Sequence, residues 1–414
     1  PDWHAWDEFS LSRGRALANP ASSYPQVRIP YGAWGSSYFP AWQTTALAQV
    51  NIGQFAGEAM NRLLGRRGIS ASRLETLITG STVPWHWKFW NSPLLAGFLD
   101  HRIPGCHVEQ ACATGLRAVL VGAAEVQAGS CGVAGVLTFD RTSDSPAGVF
   151  PERRAHRRTE VISDVWDSFG FDPATGQSML AAAGNVARKH RLDRRELDEI
   201  ALLRYQQYCA TRERGFFDRY IEPLDILDAQ GKPLDRIAED KGVRPLTAAS
   251  LAAMRELVPG VTAGTQTHPA DGMAMLLVAG EDQARELSPR PEIAIRILAH
   301  EQVRVAPALM PEAPALAVGR LLARTGLGLD QVAVVKSHNP FAVNDAVFSR
   351  VCGYDWREMN RTGCSLIYGH PQGPTLTRMI IEALEETVER GGGHALVLGC
   401  AAGDVGVAAL FRVD

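Results

Sequence analysis

The chain has 414 residues, 46% of them hydrophobic and 21% charged, with a formal net charge of -3. That is ordinary globular composition, long enough for a large core and two or three domains, so an extended disordered chain is excluded. The near-neutral balance gives no whole-chain case for binding nucleic acid or acidic surfaces. Seven cysteines (Cys106, Cys112, Cys131, Cys209, Cys352, Cys364 and Cys400) are scattered without a CxxC pair. This spacing argues against a disulfide framework or a zinc site, and for a reducing compartment. No apolar run approaches the ~18 residues of a membrane span. The opening residues, with Asp2, His4, Asp7 and Glu8, are not a signal peptide. A cytoplasmic protein with no membrane span and no nucleic-acid partner is expected, with no metal and no tightly bound cofactor.

In chain order, residues 1–24 show no clear period and are read as an arm. Arg28 to Gly32 is a turn-like junction. Apolar spacing predicts a helix from Thr44 to Leu64, stopped at Gly65, and a strand from Leu74 to Ile78. Pro84 to Trp90 then carries three tryptophans, which suit either an acyl channel or a packed subunit interface; packing is the preferred reading. A helix from Leu116 to Val126 and a strand from Gly132 to Phe139 complete an α/β pattern over residues 25–140.

Residues 141–250 break that pattern and read as an inserted domain. Helices are expected from Gln177 to Lys189 and from Arg195 to Thr211, the second opened by Asp193. The basic cluster from Arg153 to Arg158 is either a solvated face or a phosphate clamp. Order returns at residues 251–285 with a strand from Met273 to Ala279. A second α/β pass occupies residues 286–414. It has strands from Glu292 to His300, Gln331 to Lys336, Ala395 to Gly399 and Val407 to Val413. Helices from Leu316 to Thr325, from Val343 to Val351 and from Gly373 to Arg390 lie between them. Two similar passes suggest a duplicated fold.

Four stretches carry candidate chemistry. Cys112 stands in Cys-Ala-Thr-Gly among small residues, where a strand or loop hands over to a helix. A helix start favours thiolate over thiol, which suits a nucleophile; the alternative is an inert buried cysteine. The others are Gly264 to Gly272 ending in Asp271-Gly272, Asn360-Arg361-Thr362-Gly363 followed by Gly369-His370-Pro371-Gln372-Gly373, and Gly399-Cys400-Ala401-Ala402-Gly403-Asp404-Val405-Gly406.

In this order and spacing the four stretches resemble the thiolase family, from about Arg28 to Val413. The resemblance implies a five-layered αβαβα fold of two similar halves, with a loop domain inserted in the first. It implies a homodimer or a dimer of dimers, and acyl-CoA and CoA as substrates. By similarity Cys112 would be the acylated nucleophile. His370 would take its proton and later hold an enolate oxygen. Cys400 would be the second acid/base. The backbone N–H groups of Cys112 and Ala402 would form an oxyanion hole. Met179 would open the loop-domain helix, and Thr267 stands where the family has a serine facing pantetheine. Arg153 and Arg154 are candidates for the nucleotide end of CoA.

The departures lie near the expected pocket. His338-Asn339-Pro340-Phe341 replaces Asn-Glu-Ala-Phe, which brings the chain closer to the sterol-carrier-protein type of thiolase. Either His338 or Asn339 could serve the first oxyanion hole. Ala401, Ala402 and Cys364 stand where glycines are usual, and Ser178 where short-chain thiolases have a His before the Met. The expected activity is cleavage or formation of 3-oxoacyl-CoA. A carbon–carbon lyase or condensing enzyme on the same fold is one alternative. A non-catalytic scaffold subunit, or an accessory protein partner, is another.

Overall fold

A computed structural model describes residues 23–143, 146–151 and 159–414. The expected arm, residues 1–24, falls outside it but for its last two positions. Two sheets organise the chain. The first runs Val27–Arg28, Asp271–Gly280, Val133–Arg141, Thr76–Gly80, Gly105–Val108, with Trp34–Ser36 also pairing on Asp271–Gly280. The second runs Ile295–Arg304, Val405–Val413, Gly393–Ala401, Val332–His338. Helices Thr114–Gln127 and Gly373–Glu389 touch each other; the first packs on the first sheet and the second on strands of both, and so they form a central layer. Helices Ile52–Arg66 and Asn91–Gly97 cover the outer face of the first sheet; Ala313–Thr325 and Ala342–Cys352 cover that of the second. The result is the expected αβαβα sandwich. Strand Val133–Arg141 is buried at every position because helices lie on both its faces.

The duplication is visible in the pairing. In each half the central helix leads into a strand that then pairs antiparallel with its successor. In the second half Gly393–Ala401 and Val405–Val413 are joined by a short turn, with Cys400 opposite Gly406. In the first half the same kind of pair, Arg141 opposite Asp271, is joined by residues 142–270. The insertion therefore replaces a hairpin turn. Within it the predicted helices fall at Met179–Lys189 and Arg194–Glu213, with Asp193 capping the second by accepting from the Arg195 N–H at 3.1 Å. Three short antiparallel strand pairs, unread in the sequence, are 147–151 with 159–163, 224–227 with 233–237 and 256–258 with 261–262. The last packs on the Met179–Lys189 helix, and pairing in the first sheet resumes at Asp271.

The insertion is tied to the body by buried charge. Arg378 of the second central helix is fully buried and holds Asp240 of the insertion at 2.8 and 3.1 Å. It also pairs with Glu382 at 3.0 Å, which Lys336 reaches at 3.1 Å. Tyr208 donates to Asp240 and Tyr220 to Glu382. Arg204 likewise holds Asp345 at 2.9 Å, both side chains buried. Apart from Asp345 Oδ1, which has no hydrogen-bond partner among the described residues, these groups are paired, and the charges clamp the insertion in one position; removing one member would strand the rest.

Candidate active site

The two central helices start at the same place, and their leading turns carry the predicted nucleophile and base. Cys112 lies in a single turn, Ala111–Ala113, directly ahead of Thr114–Gln127. His370 lies just ahead of Gly373–Glu389. Between His370 and that helix, Gln372 adopts φ 70° and ψ -99°, a strained conformation for a residue with a side chain. Ala111, beside the cysteine, is also at positive φ, 45°. Gly369 has φ 97°, and a Cβ there would lie 2.8 Å from the His268 ring, so glycine is required before the histidine. The Gly373 N–H donates to buried Asp140 at 2.7 Å, and the same carboxylate accepts from Thr82 and Val83. Burial pushes the Asp140 carboxyl up to about 7. Its partners in these bonds are all donors, so the hydrogen-bond set favours the carboxylate.

The Cys112 sulfur lies 3.2 Å from His370 Nε2 and 3.3 Å from Gln372 Oε1. His370 Nδ1 lies 2.7 Å from the Thr375 hydroxyl. With Nδ1–H donating to Thr375, Nε2 is free to accept the thiol proton. The backbone N–H groups of Cys112 and Ala402 both reach the sulfur. The expectation that the helix start makes Cys112 a thiolate is corrected. Burial outweighs those two N–H groups, the nearby Asp140 adds to it, and the thiol is pushed up to about 12. The resting sulfur is therefore a neutral thiol. Burial, reinforced by neighbouring His338, holds His370 well below the ordinary histidine range, so this ring is neutral as well.

Cys400 ends the strand beside them, fully buried and bonded by the Asn344 amide at 3.4 Å. Burial raises its thiol, and the adjacent Cys112 raises it further. His338 pairs in register with Gly399, which places it next to Cys400. Its ring stacks at a tilt on His370, centroids 4.3 Å apart. A ring nitrogen of each histidine and the Cys112 sulfur all lie within 4.8 Å of one another. His338 Nδ1 bonds Ser365 Oγ at 2.8 Å, while Nε2 has no hydrogen-bond partner among the described residues.

Asn339 is placed differently. Its amide nitrogen donates to Asp345 at 2.8 Å and its oxygen accepts the Leu366 N–H at 3.3 Å. Both ends are spent behind the site, so of the two alternatives only His338 presents an unspent polar atom.

A cavity of about 220 Å³ opens onto Cys112, His370 and Gln372. Met179, Thr267 and Phe341 line it, as do Trp166 and Phe169 of the insertion, which the sequence did not single out. Thr267 donates its hydroxyl proton to the Ser365 carbonyl at 2.5 Å, leaving it an acceptor toward the cavity. Met179 and Met310 also border a second cavity of about 350 Å³, whose wall includes Ala402, Asp172 and Asp404. Arg153 and Arg154 fall outside the described residues. The tryptophan-rich segment lines neither cavity. Trp85 is buried against Phe139, while Trp87, Phe89 and Trp90 are exposed. Gln372, Thr375, Asn344 and Ser365 were not chosen from the sequence. Gln372 sat in plain view inside the histidine motif; the other three have no local signal.

Comparison with known proteins agrees with this geometry. The chain matches the thiolase N-terminal domain over residues 39–282 and the thiolase C-terminal domain over residues 292–413. It is 27% identical to an acetyl-CoA acetyltransferase of Pseudomonas aeruginosa, covering 89% of this chain and 95% of that one. It is 28% identical to a 3-ketoacyl-CoA thiolase of Serratia proteamaculans, covering 94% and 95%. Among solved structures, the Bacillus anthracis acetyl-CoA acetyltransferase superposes with a TM-score of 0.86 at 24% identity, over 96% of this chain and 100% of that one. Human mitochondrial 3-ketoacyl-CoA thiolase in complex with CoA gives 0.84 at 21%, over 95% and 98%. These two are likenesses of fold. Two domain matches that together span nearly the whole chain, over a cysteine and a histidine brought together from its two halves, make this protein a member of the thiolase family.

Proposed function

We propose that this thiolase is a CoA-dependent acyltransferase that cleaves 3-oxoacyl-CoA with CoA, or forms it in reverse, through an acyl group held on Cys112. The observation that carries the reading is the 3.2 Å approach of Cys112 Sγ to His370 Nε2, with two backbone N–H groups at the same sulfur. In the thiolytic direction Cys112 attacks the 3-carbonyl carbon and His370 takes the thiol proton. The N–H groups of Cys112 and Ala402 hold the oxyanion. The C2–C3 bond breaks, the departing enolate takes the proton of Cys400, and acetyl-CoA leaves. Free CoA gives its thiol proton to the Cys400 thiolate and attacks the acyl group, and His370 returns its proton to the Cys112 sulfur. A Cys400 thiol raised by burial suits a group that must start each cycle protonated. His338, with its open Nε2, is the partner of His370 at the enolate oxygen; Asn339 holds the turn behind it.

Pantetheine fits the apolar cavity past Met179, Phe341 and Thr267, its amide N–H donating to the Thr267 oxygen. The names of the relatives, which include a beta-ketoadipyl-CoA thiolase of Pseudomonas aeruginosa, support acyl-CoA as the substrate class. A homodimer is supported by the Gly105–Val108 strand, which ends the first sheet, and by the exposed Trp87, Phe89 and Trp90 ahead of it. Seven free cysteines support a reducing, cytoplasmic location.

The test is intact mass and α-proton exchange with acetyl-CoA. Wild type should gain an acyl mass on the Cys112 peptide. Cys112→Ser should not. Cys400→Ser should still be acylated but lose deuterium exchange by roughly 10²-fold or more, and His370→Ala should impair both steps. Exchange at the wild-type rate in Cys400→Ser would remove Cys400 from the role of base.

A further inference from the structure

The buried histidine at position 338 raises the question of which nitrogen carries its proton. Burial pushes His338 down to about 3, so the ring is neutral and has one N–H to place. Nδ1 meets Ser365 Oγ at 2.8 Å. Ser365 is itself held in place. Its carbonyl accepts from the Thr267 hydroxyl at 2.5 Å and from the Gly369 N–H at 3.2 Å, and its oxygen Oγ lies 3.3 Å from the Asn339 N–H. The serine proton has two possible acceptors. Asn339 Oδ1 is far, at 3.4 Å, and already accepts from the Leu366 N–H. His338 Nδ1 is close and otherwise unbonded. The hydroxyl therefore donates to Nδ1 while its lone pair receives the Asn339 N–H, which pairs the polar atoms around Ser365 and leaves His338 Nε2 open.

We propose that Ser365 is a positioning residue that locks His338 in the Nε2–H tautomer, turning it into a fixed hydrogen-bond donor for the substrate thioester oxygen. This rests on the function proposed above. A ring nitrogen of His338 lies within 4.8 Å of the Cys112 sulfur and of a His370 nitrogen, and with Nδ1 spent on Ser365 the open Nε2 is then a donor, complementary to an oxyanion. The opposite tautomer would present a lone pair there and repel developing negative charge. The backbone pair of Cys112 and Ala402 serves the acyl carbonyl, so the serine acts on the enolate half of the reaction rather than on acylation.

Two measurements test this. In protein labelled with ¹⁵N-histidine, the His338 signals, assigned by their loss in His338→Gln, should report a proton on Nε2. Ser365→Ala should mix the two tautomers, and Ser365→Thr should restore the first. In half-reaction assays Ser365→Ala should slow α-proton exchange of acetyl-CoA about tenfold more than it slows Cys112 acylation, the effect of about one hydrogen bond. Ser365→Thr should recover most of that loss. The double variant His338→Ala/Ser365→Ala should exchange no more slowly than His338→Ala alone. A wild-type proton on Nδ1, equal slowing of both half-reactions, or additive losses in the double variant would each overturn the assignment. If wild type neither acylates nor exchanges, the proposed function fails, while the tautomer measurement still decides the role of Ser365.

Discussion

Replacing Gly115 with alanine probes how tightly Cys112 and His370 are held together. A Cβ at Gly115 would lie 2.6 Å from the Thr377 backbone nitrogen and hydroxyl, and 2.8 Å from the Gly373 carbonyl, all on the other central helix. The helices must part by about 0.8 Å to bring the closest of these contacts to 3.4 Å. Overpacking of this kind costs about 1–3 kcal/mol, and the better helix propensity of alanine returns about 1. With unfolding entropy near 2 cal/mol/K per residue, the net loss lowers Tm by only about 2 °C. The site should suffer far more. Cys112 and His370 lead these same helices, so their 3.2 Å separation should widen to about 4 Å. A displacement of about 1 Å can cost 10²-fold in rate. The assay is the rate of acyl-enzyme formation followed by intact mass, with thermal unfolding alongside. Gly122→Ala is the control on the same helix. Its Cβ would meet Ala134 and Val136 at 3.4 and 3.5 Å, in ordinary contact, and should leave both readouts near wild type. Wild-type acylation in Gly115→Ala would refute the claim that the helix contact sets the catalytic distance.

Three further outcomes follow from the buried charges. Arg378→Met should destabilise by about 3–5 kcal/mol in denaturant unfolding, because Asp240 and Glu382 lose their shared cation; a loss under 1 kcal/mol would mean water reaches the cluster. Asp140→Asn leaves an amide N–H facing the N–H of either Val83 or Gly373, at a cost of about 1–3 kcal/mol, and loosens the turn that holds His370; acylation should slow with it. Acid should weaken the fold through His338. Its folded pKa of about 3 lies below the ordinary 6.5, so the unfolded chain binds the extra proton. That stability is intact above pH 6.5 and is lost as pH falls toward 3, about 2 kcal/mol by pH 5. His338→Gln should flatten the stability profile over that window by one proton, and an unchanged slope would show that this ring already protonates in the folded protein.

Much of the frame was legible in the chain. Apolar runs placed most strands and helices of the sandwich to within a few residues, since strands such as Val133–Arg141 are buried on both faces. Their ends were read short, as at Val332–His338, where the last residues are polar yet buried. The short strands of the insertion were missed for two reasons: Val149 and Val161 lie on the surface, and Leu224–Leu227, though it alternates buried and exposed, is only 4 residues long. Cys112 stood out because it sits in a local run of small residues, which the close approach of backbone and substrate demands; His370 and Cys400 stood out through the motifs of the family resemblance.

Tertiary structure decided the rest. Helix Gly373–Glu389 looks amphipathic in sequence, yet Gly373 to Thr387 is buried throughout. Its charges are matched by Asp240, Lys336 and Trp34, residues remote in the chain. The same holds at the site. His338 and Asn339 are neighbours in a polar tetrad, and nothing local says which faces the cysteine. Asp345, Leu366 and Ser365 decide it by satisfying one side chain completely and the other at a single nitrogen. A protonation state follows from burial and from partners brought across the fold, and those exist only once the two halves have closed on each other.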